Sequence, residues 1–410
     1  MSPSQTAVSR GPLAGKLVLD LSRALAGPHA AMMMGDMGAR VIKVEAPGRG
    51  DDSRGWGPPF VGEGPERDST YFYSCNRNKE SIQLDLKDAE DSSVLRKLVV
   101  KADVFVENFR PGVLDRLGLS VTELHQLNPR LVILSITGFG HDGPNSSRPG
   151  YDQIAQGEAG LMSLTGPSSD QPTRMGVPIG DLLAGIYGAY GAAAALVQRE
   201  ATGKGSVVRT SLLAALIGVH AFQGARYTIA GEVPQAIGNH HPSIAPYGAF
   251  TAADKLVQIA VGNQRQWQSF CEVLDFDSED PRFATNPDRT KNREELIAAI
   301  DERLRDQPAD AWLQAFEKVG VPAGAVRNLA EVYECEQTKS QGLIIPVEDE
   351  SLGTVSLPGP PVRLEDAEGN SLLRESHDVP PALGAHTDSV REWVHEGFAD
   401  SLTPAVTSAR

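Results

Sequence analysis

Cysteine is scarce: Cys75, Cys271 and Cys335 are the only three in 410 residues, too few and too widely spaced for a disulfide framework or a zinc site. That suits a reducing compartment. Positive charge is also short, with 38 Lys and Arg against 53 Asp and Glu and a formal net charge of -15, which repels nucleic acid and anionic membrane surfaces. No apolar run reaches the roughly 20 residues that cross a bilayer. The most apolar stretch, 182–197, is followed at once by Gln198, Arg199 and Glu200, and reads as a buried helix. The opening MSPSQTAVSRGPLAG has no apolar core and reads as a short tail rather than a secretory signal. Three chemical signatures are missing as well. The turn SRALAGP puts a proline where G-x-G-x-x-G needs a glycine, which leaves a dinucleotide oxidoreductase only as an alternative. There is no G-x-S-x-G elbow. Adjacent His240 and His241 point apart on a strand or a helix, with no partner at a metal-ligand spacing.

What is present is alternation of strands and helices. KLVLDLS (16–22), a helical stretch from Gly27-Pro28 to Gly38 and RVIKVE (40–45) make one βαβ unit. SIQLDL, the helical AEDSSVLRKLVVKA, DVFVEN, a helix opened by the Ser120/Glu123 capping box and LVILSIT continue the pattern. This predicts an α/β fold, a Rossmann-like doubly wound parallel sheet whose ligand site lies at the carboxyl ends of the strands. The length asks for more than one domain. Residues 1–229 read as the large domain, 230–335 as a smaller α+β domain with a hairpin in APYGAFTAADKLVQIAVG and two amphipathic helices, and 336–410 as a return to the large domain.

Basic residues concentrate between 40 and 116: Arg40, Lys43, Arg49, Arg54, Arg77, Lys79, Lys87, Arg110 and Arg116. Several flank strand ends, where a phosphate-bearing ligand would meet them. The other local feature is Asp181, the lone acid heading VPIGDLLAGIYGAYGAAAALV. Two readings stand at this point. As a helix N-cap it would contribute about 1 kcal/mol. As a nucleophile it would be held ionised by the helix N–H groups, with Gly180, Ala184 and Gly185 leaving room for a bulky electrophile.

The sequence resembles the class III CoA-transferase (CaiB/BaiF) family over nearly its whole length. The match is carried in order by LDLSRALAGP, MGDMGARVIKVEAPGRGDDSRGW, NRNKESIQLDLK, ADVFVENFRPGVLDRLGL, LNPRLVILSITGFG, GYDQIAQGEAGLMSLTG, VPIGDLLAGIYG, TGKG and LGAHT. The resemblance implies that Asp181 is the nucleophile that attacks an acyl-CoA thioester. It also implies that Leu25, Ala26, Leu84 through Lys87, Asn108, Phe109 and Arg116 contact coenzyme A, with Tyr151 lining the acyl end. No permanently bound cofactor is implied; the CoA thioester is a substrate, and the acceptor a small carboxylic acid. An interlocked homodimer, a cytoplasmic setting and no nucleic-acid or membrane partner complete the expectation.

Two departures matter. Several members carry an arginine directly after the VIKVE strand to hold the nucleotide; here Ala46 stands there, so Arg49 or Arg54 must substitute or the contact is absent. The racemases of this fold use a histidine in a G-H-D turn, which here reads Gly150-Tyr151-Asp152, and tyrosine is a poor base at neutral pH, so epimerisation is the less favoured alternative. The loop GNHHPSIAPYGAF looks like that of the dicarboxylate enzymes, with His240, His241 or Arg174 as candidates to meet the distal carboxylate. A non-catalytic CoA-binding protein is the remaining alternative.

Overall fold

The computed structural model describes residues 11–398 apart from 63, 65–66 and 350–351; most of the opening tail, 1–10, lies outside the described residues. The chain forms two compact units: one of residues up to Ala159, Met175–Phe222 and Lys339 onward, the other of Gly160–Arg174 and Gln223–Thr338. The changeovers fall at 222/223 and 338/339, and 160–174 groups with the second unit.

In the first unit, β1 (Leu17–Asp20), α1 (Ala26–Asp36), β2 (Arg40–Glu45), β3 (Lys79–Gln83), α2 (Ala89–Lys101), β4 (Val104–Glu107), β5 (Val132–Thr137), α3 (Asp152–Glu158), α4 (Ile179–Thr202) and β6 (Ser206–Ser211) follow in order. The six strands pair in the order β3-β2-β1-β4-β5-β6, all parallel. That is the strand order of a doubly wound nucleotide-binding sheet, with its switch point between β1 and β4. The sequence reading has no strand at β6. It is an edge strand, only partly buried and rich in serine and threonine, so it lacks the apolar run that marks its neighbours.

Alternation along the strands sorts the two faces. Leu17, Leu19, Ile42 and Ile82 join Val94, Leu95, Leu98 and Val99 of α2 in one core cluster. From the other register, Asp20, Lys43 and Lys79 are wholly buried on the side of α1, where Lys79 Nζ donates to the Pro28 carbonyl at 2.8 Å.

Helix α4 is 24 residues long and, by length and composition alone, apolar enough to cross a membrane. Its glycines show what its composition is for. A Cβ on Gly185 would lie 2.7 Å from the Ala26 carbonyl oxygen, and one on Gly191 would lie 2.5 Å from Val208 Cγ1, so α4 packs against the backbone of α1 and the Val208 side chain of β6 with no room for a side chain at either position. Gly180 is closed in by Asp152 and Leu216, and Ala184 is fully buried. The small residues around Asp181 are therefore occupied by packing and do not form an open space for the electrophile, which corrects the expectation above.

In the second unit, β7 (Tyr247–Thr251) and β8 (Leu256–Ala260) form the expected antiparallel hairpin, joined by β9 (Ala323–Ala325). The helices Gln264–Leu274, Arg293–Leu304 and Ala309–Lys318 cover it, around a core that includes Trp267, Phe270 and Phe316.

Because Gly185 faces a backbone oxygen that no rotamer change can move, Gly185→Ala should lower stability by about 1–3 kcal/mol. Gly324→Ala, where an added Cβ meets nothing within 4 Å, serves as the reference. Urea denaturation of both variants measures the difference.

Candidate active site

Asp181 lies in the first turn of α4, whose N-cap is Pro178. Proline offers no side-chain acceptor, and the capping is supplied from elsewhere. Asp152, in the first turn of α3, accepts from Gly180 N at 2.7 Å and from Asp181 N at 3.4 Å through Oδ1. Its other oxygen accepts from Gln156 Nε2 at 2.6 Å, and Gln156 Oε1 in turn accepts from Met175 N at 2.9 Å. Gln156 is fully buried, so Asp152 is fixed from both sides.

This removes the capping reading of Asp181. It is not the cap, and among the described residues its carboxylate takes part in no hydrogen bond. Nor does a helix N–H donate to it, contrary to the expectation from sequence; the N–H groups of Gly180 and Asp181 donate to Asp152 instead. Burial, and then the negative charge of Asp152, push its pKa up to about 7. A carboxylate raised in this way is more basic than a solvated one and is poorly satisfied where it sits.

Tyr71 and Trp56 form a wall nearby, and the sequence reading did not single them out. Burial raises the Tyr71 phenol well above its ordinary value, and the charge of Asp181 adds to the shift, so the hydroxyl stays a proton donor across the physiological range. Trp56 packs edge-on against it, ring centroids 5.1 Å apart. Their only sequence signal is aromatic side chains in the segment between β2 and β3, which starts at the carboxyl end of a strand, where ligands bind in such sheets.

The expected CoA contacts cluster in part. Leu25 is the N-cap of α1 and Ala26 its first residue; both side chains are buried, so what they offer a ligand is backbone N–H. Asn108, after β4, brackets Arg23 of the same turn, accepting from its N at 2.9 Å and donating to its O at 2.7 Å. The Arg23 guanidinium lies over the Phe109 ring at 5.7 Å. Since Gly185, one turn after Asp181, lies against the Ala26 carbonyl, this turn and the helix that carries Asp181 are neighbours.

Leu84 follows β3 and its side chain is 2% exposed in the core, so only its backbone can meet a ligand; Lys87 is exposed beyond it. Arg116 is exposed at the end of the short helix Val113–Arg116. Tyr151 is 67% exposed as the N-cap of α3, next to Asp152.

The basic cluster requires a correction. Arg54 is buried and fully committed: Nε and Nη2 donate to Glu45 at 2.8 and 2.7 Å, Nη1 donates to Asp68 at 2.7 Å, and the guanidinium lies 3.8 Å from the Phe72 ring centroid. It cannot replace the arginine missing at Ala46. Arg40 pairs with Glu80, Lys43 with Asp51, Arg77 with Asp36 and Lys79 with Asp20. Arg49 is different. It is exposed between Gly48 and Gly50, both at positive φ. Arg49, Lys87, Arg110 and Arg116 are exposed and, among the described residues, carry no ion pair.

His240 packs edge-on to Phe250 and His241 stacks on Tyr247, both within the second unit, which also holds Arg174. Among the described residues no group of three or more His, Cys, Asp and Glu is arranged to hold a metal ion.

The model for CoA-transferase family III matches residues 13–387. Human succinyl-CoA:glutarate CoA-transferase is 41% identical over 93% of this chain and 86% of its own length. Acetyl-CoA:oxalate CoA-transferase of Acetobacter aceti is 41% identical, covering 89% of this chain and 92% of its own. The crystal structure of a CaiB/BaiF family protein from Brucella suis superimposes with a TM-score of 0.84 at 38% identity, over 94% of this chain and all of that one. With its doubly wound sheet and the unsatisfied Asp181 at the head of α4, the chain belongs to CoA-transferase family III.

Proposed function

We propose that this CoA-transferase moves coenzyme A from succinyl-CoA, or a similar short acyl-CoA, to a dicarboxylate, with Asp181 as the covalent nucleophile. The observation that carries the mechanism is the state of that carboxylate: relieved of capping by Asp152 and raised to about 7 by burial and by its neighbour's charge. The acid substrates are supported by the relatives, whose names pair succinyl-CoA with glutarate and acetyl-CoA with oxalate.

Asp181 attacks the thioester carbonyl and expels CoA thiolate, leaving a mixed anhydride. The thiolate attacks the aspartyl carbonyl of that anhydride; the donor acid leaves as carboxylate and an aspartyl-CoA thioester remains. The acceptor carboxylate attacks this thioester and expels CoA thiolate again. Attack of the thiolate on the acceptor's acyl carbon releases the new acyl-CoA and restores the Asp181 carboxylate. Each step exchanges one anion for another, so no general base is required. The site has to position the reactants and stabilise tetrahedral oxyanions, and the protonated Tyr71 hydroxyl is a donor suited to that.

Arg49, Lys87 and Arg116 supply positive charge for the nucleotide end of CoA, with Arg49 in place of the arginine lacking at Ala46. The chain works as a homodimer: α4 leaves Ile186, Tyr187, Tyr190 and Val197 exposed, up to 74%, on the side away from its buried glycines, which a partner would cover. The cytoplasm is the setting, consistent with the free cysteines. No membrane or nucleic-acid partner is needed.

Incubation with succinyl-CoA should leave a covalent acyl or CoA adduct on the intact protein, visible by mass spectrometry and absent in Asp181→Ala. Loss of the adduct with full turnover retained would overturn the mechanism. The ionised form of Asp181 is the reactive one, so kcat/KM for the CoA donor should fall with unit slope as pH drops through about 7. Asp152→Asn keeps a capping oxygen but removes the charge, and should move that acid limb to lower pH. The same raised pKa carries a stability sign. Folded Asp181 holds its proton up to about 7 while the unfolded chain releases it near 3.8, so its penalty is absent below pH 4 and complete above 7. Asp181→Asn should therefore raise the thermal midpoint more at pH 8 than at pH 4.5, as differential scanning calorimetry at the two pH values can check.

A further inference from the structure

The turn that follows β1 is held to an unusual degree by side chains from other elements. Ser22 N donates to Asp20 at 3.0 Å, and Ser22 O accepts from Lys43 Nζ at 3.0 Å. Arg23 N and O both bond Asn108. Ala24 N donates to Asp51 Oδ1 at 3.1 Å, and Ala24 O faces the Cys75 thiol at 3.7 Å. At the centre of this arrangement Ala24 has a φ of +69°, in the left-handed region that a residue with a Cβ seldom enters. Such a conformation persists only where the surroundings over-determine it.

Asp51 is the group that determines most. It is 1% exposed, and its Oδ1 accepts from Ala24 N, from Ser53 N at 2.9 Å and from Ser53 Oγ at 2.8 Å. Its Oδ2 faces the buried Lys43 ammonium at 2.8 Å, and its own N donates to Glu45 Oε2 at 2.9 Å. The bond to Ser53 N caps the 3-10 turn Asp52–Gly55, and that turn delivers Trp56 to Tyr71. One carboxylate therefore ties together the turn that opens α1 and the aromatic wall next to Asp181.

We infer that Asp51, charged and oriented by Lys43, is a positioning residue for CoA transfer. By holding Ala24 left-handed it sets the peptide planes of Leu25 and Ala26, whose N–H groups make no hydrogen bond among the described residues and so are left for a ligand. The inference rests on the reading of that turn as a CoA contact. Without the Asp51 acceptor and its ion pair, Ala24 relaxes to an ordinary φ and the next two N–H groups turn out of register.

The test uses the full chain and four proteins: wild type, Asp51→Asn, Ala24→Gly and the double variant. Asparagine keeps the shape, but its amide must oppose either the Lys43 ammonium or the Ala24 N–H. Isothermal titration with free CoA, and steady-state KM values for succinyl-CoA and glutarate, are the readouts. Asp51→Asn should weaken CoA binding and raise the succinyl-CoA KM by about tenfold or more, with the glutarate KM and kcat changed far less. Ala24→Gly in the same chain should restore most of that loss, because glycine adopts positive φ freely. Rescue of this kind would not follow if Asp51 merely supported the fold.

Ala24→Val, which leaves Asp51 and Lys43 untouched, should weaken CoA comparably and serves as the test should Asp51→Asn not fold. The assignment is overturned if Asp51→Asn binds CoA as the wild type does, if Ala24→Gly fails to restore its binding, or if Ala24→Val binds normally. Wild-type protein that binds no CoA overturns the CoA reading itself and this assignment with it, and the wild-type titration tells the two failures apart.

Discussion

Gly185 brings the backbone of α4 against the Ala26 carbonyl, and the spacing between the two halves of the site follows from that contact. Asp181 lies one turn before Gly185, and Leu25 and Ala26 open α1, so a side chain at 185 would separate the carboxylate from the turn read as the CoA contact. Glycine and alanine along the buried face of α4 serve this approach. Helix propensity alone would not have chosen so many glycines, each of which weakens an isolated helix. Packing offsets that cost, and the composition that makes α4 look like a membrane span comes from the same requirement.

Beneath this contact the sheet carries charge where apolar side chains would be the rule. Asp20, Lys43, Asp51, Lys79, Glu45 and Arg54 are all buried, linked through ion pairs and hydrogen bonds to serines 22, 53 and 81. Replacing such a network by hydrocarbon is often neutral or stabilising, so stability alone does not account for it. Its partners point to order at the strand ends. Lys43 reaches the Ser22 carbonyl, Asp51 reaches Ala24 N, and Glu45 with Arg54 fixes the segment that carries Trp56. Because these cations are consumed internally, the residues left to meet an anionic ligand are fewer than a count of arginines and lysines suggests.

Local patterns carried most of the fold. The apolar runs of β1, β2, β4 and β5 are strands, the Ser120/Glu123 capping box is present with both of its bonds, and the hairpin of β7 and β8 lies in APYGAFTAADKLVQIAVG. Edge strand β6 escaped because partial exposure removes the hydrophobic signal on which such a reading depends. The candidate site was marked in the sequence at Asp181, an acid out of place in its surroundings. Its neighbours were not, because Asp152, Tyr71 and Trp56 are brought to it by tertiary structure and no spacing relates them. Arg54 shows the reverse failure: position in the chain recommended it for a ligand, and burial against Glu45 and Asp68 removes it.

The relation between Asp152 and Asp181 bears on the proposal that a carboxylate is the nucleophile. A helix N-terminus ordinarily stabilises an anion, which would lower the pKa of a first-turn acid and blunt its reactivity. Here the N–H groups of Gly180 and Asp181 donate to Asp152, which lies close enough to repel Asp181. The second acid thus occupies these donors and adds its repulsion to the larger effect of burial. In the mechanism proposed above, acylation of Asp181 removes its charge, and with it the cost of burying that charge beside Asp152, which narrows the gap between the free carboxylate and its covalent intermediates.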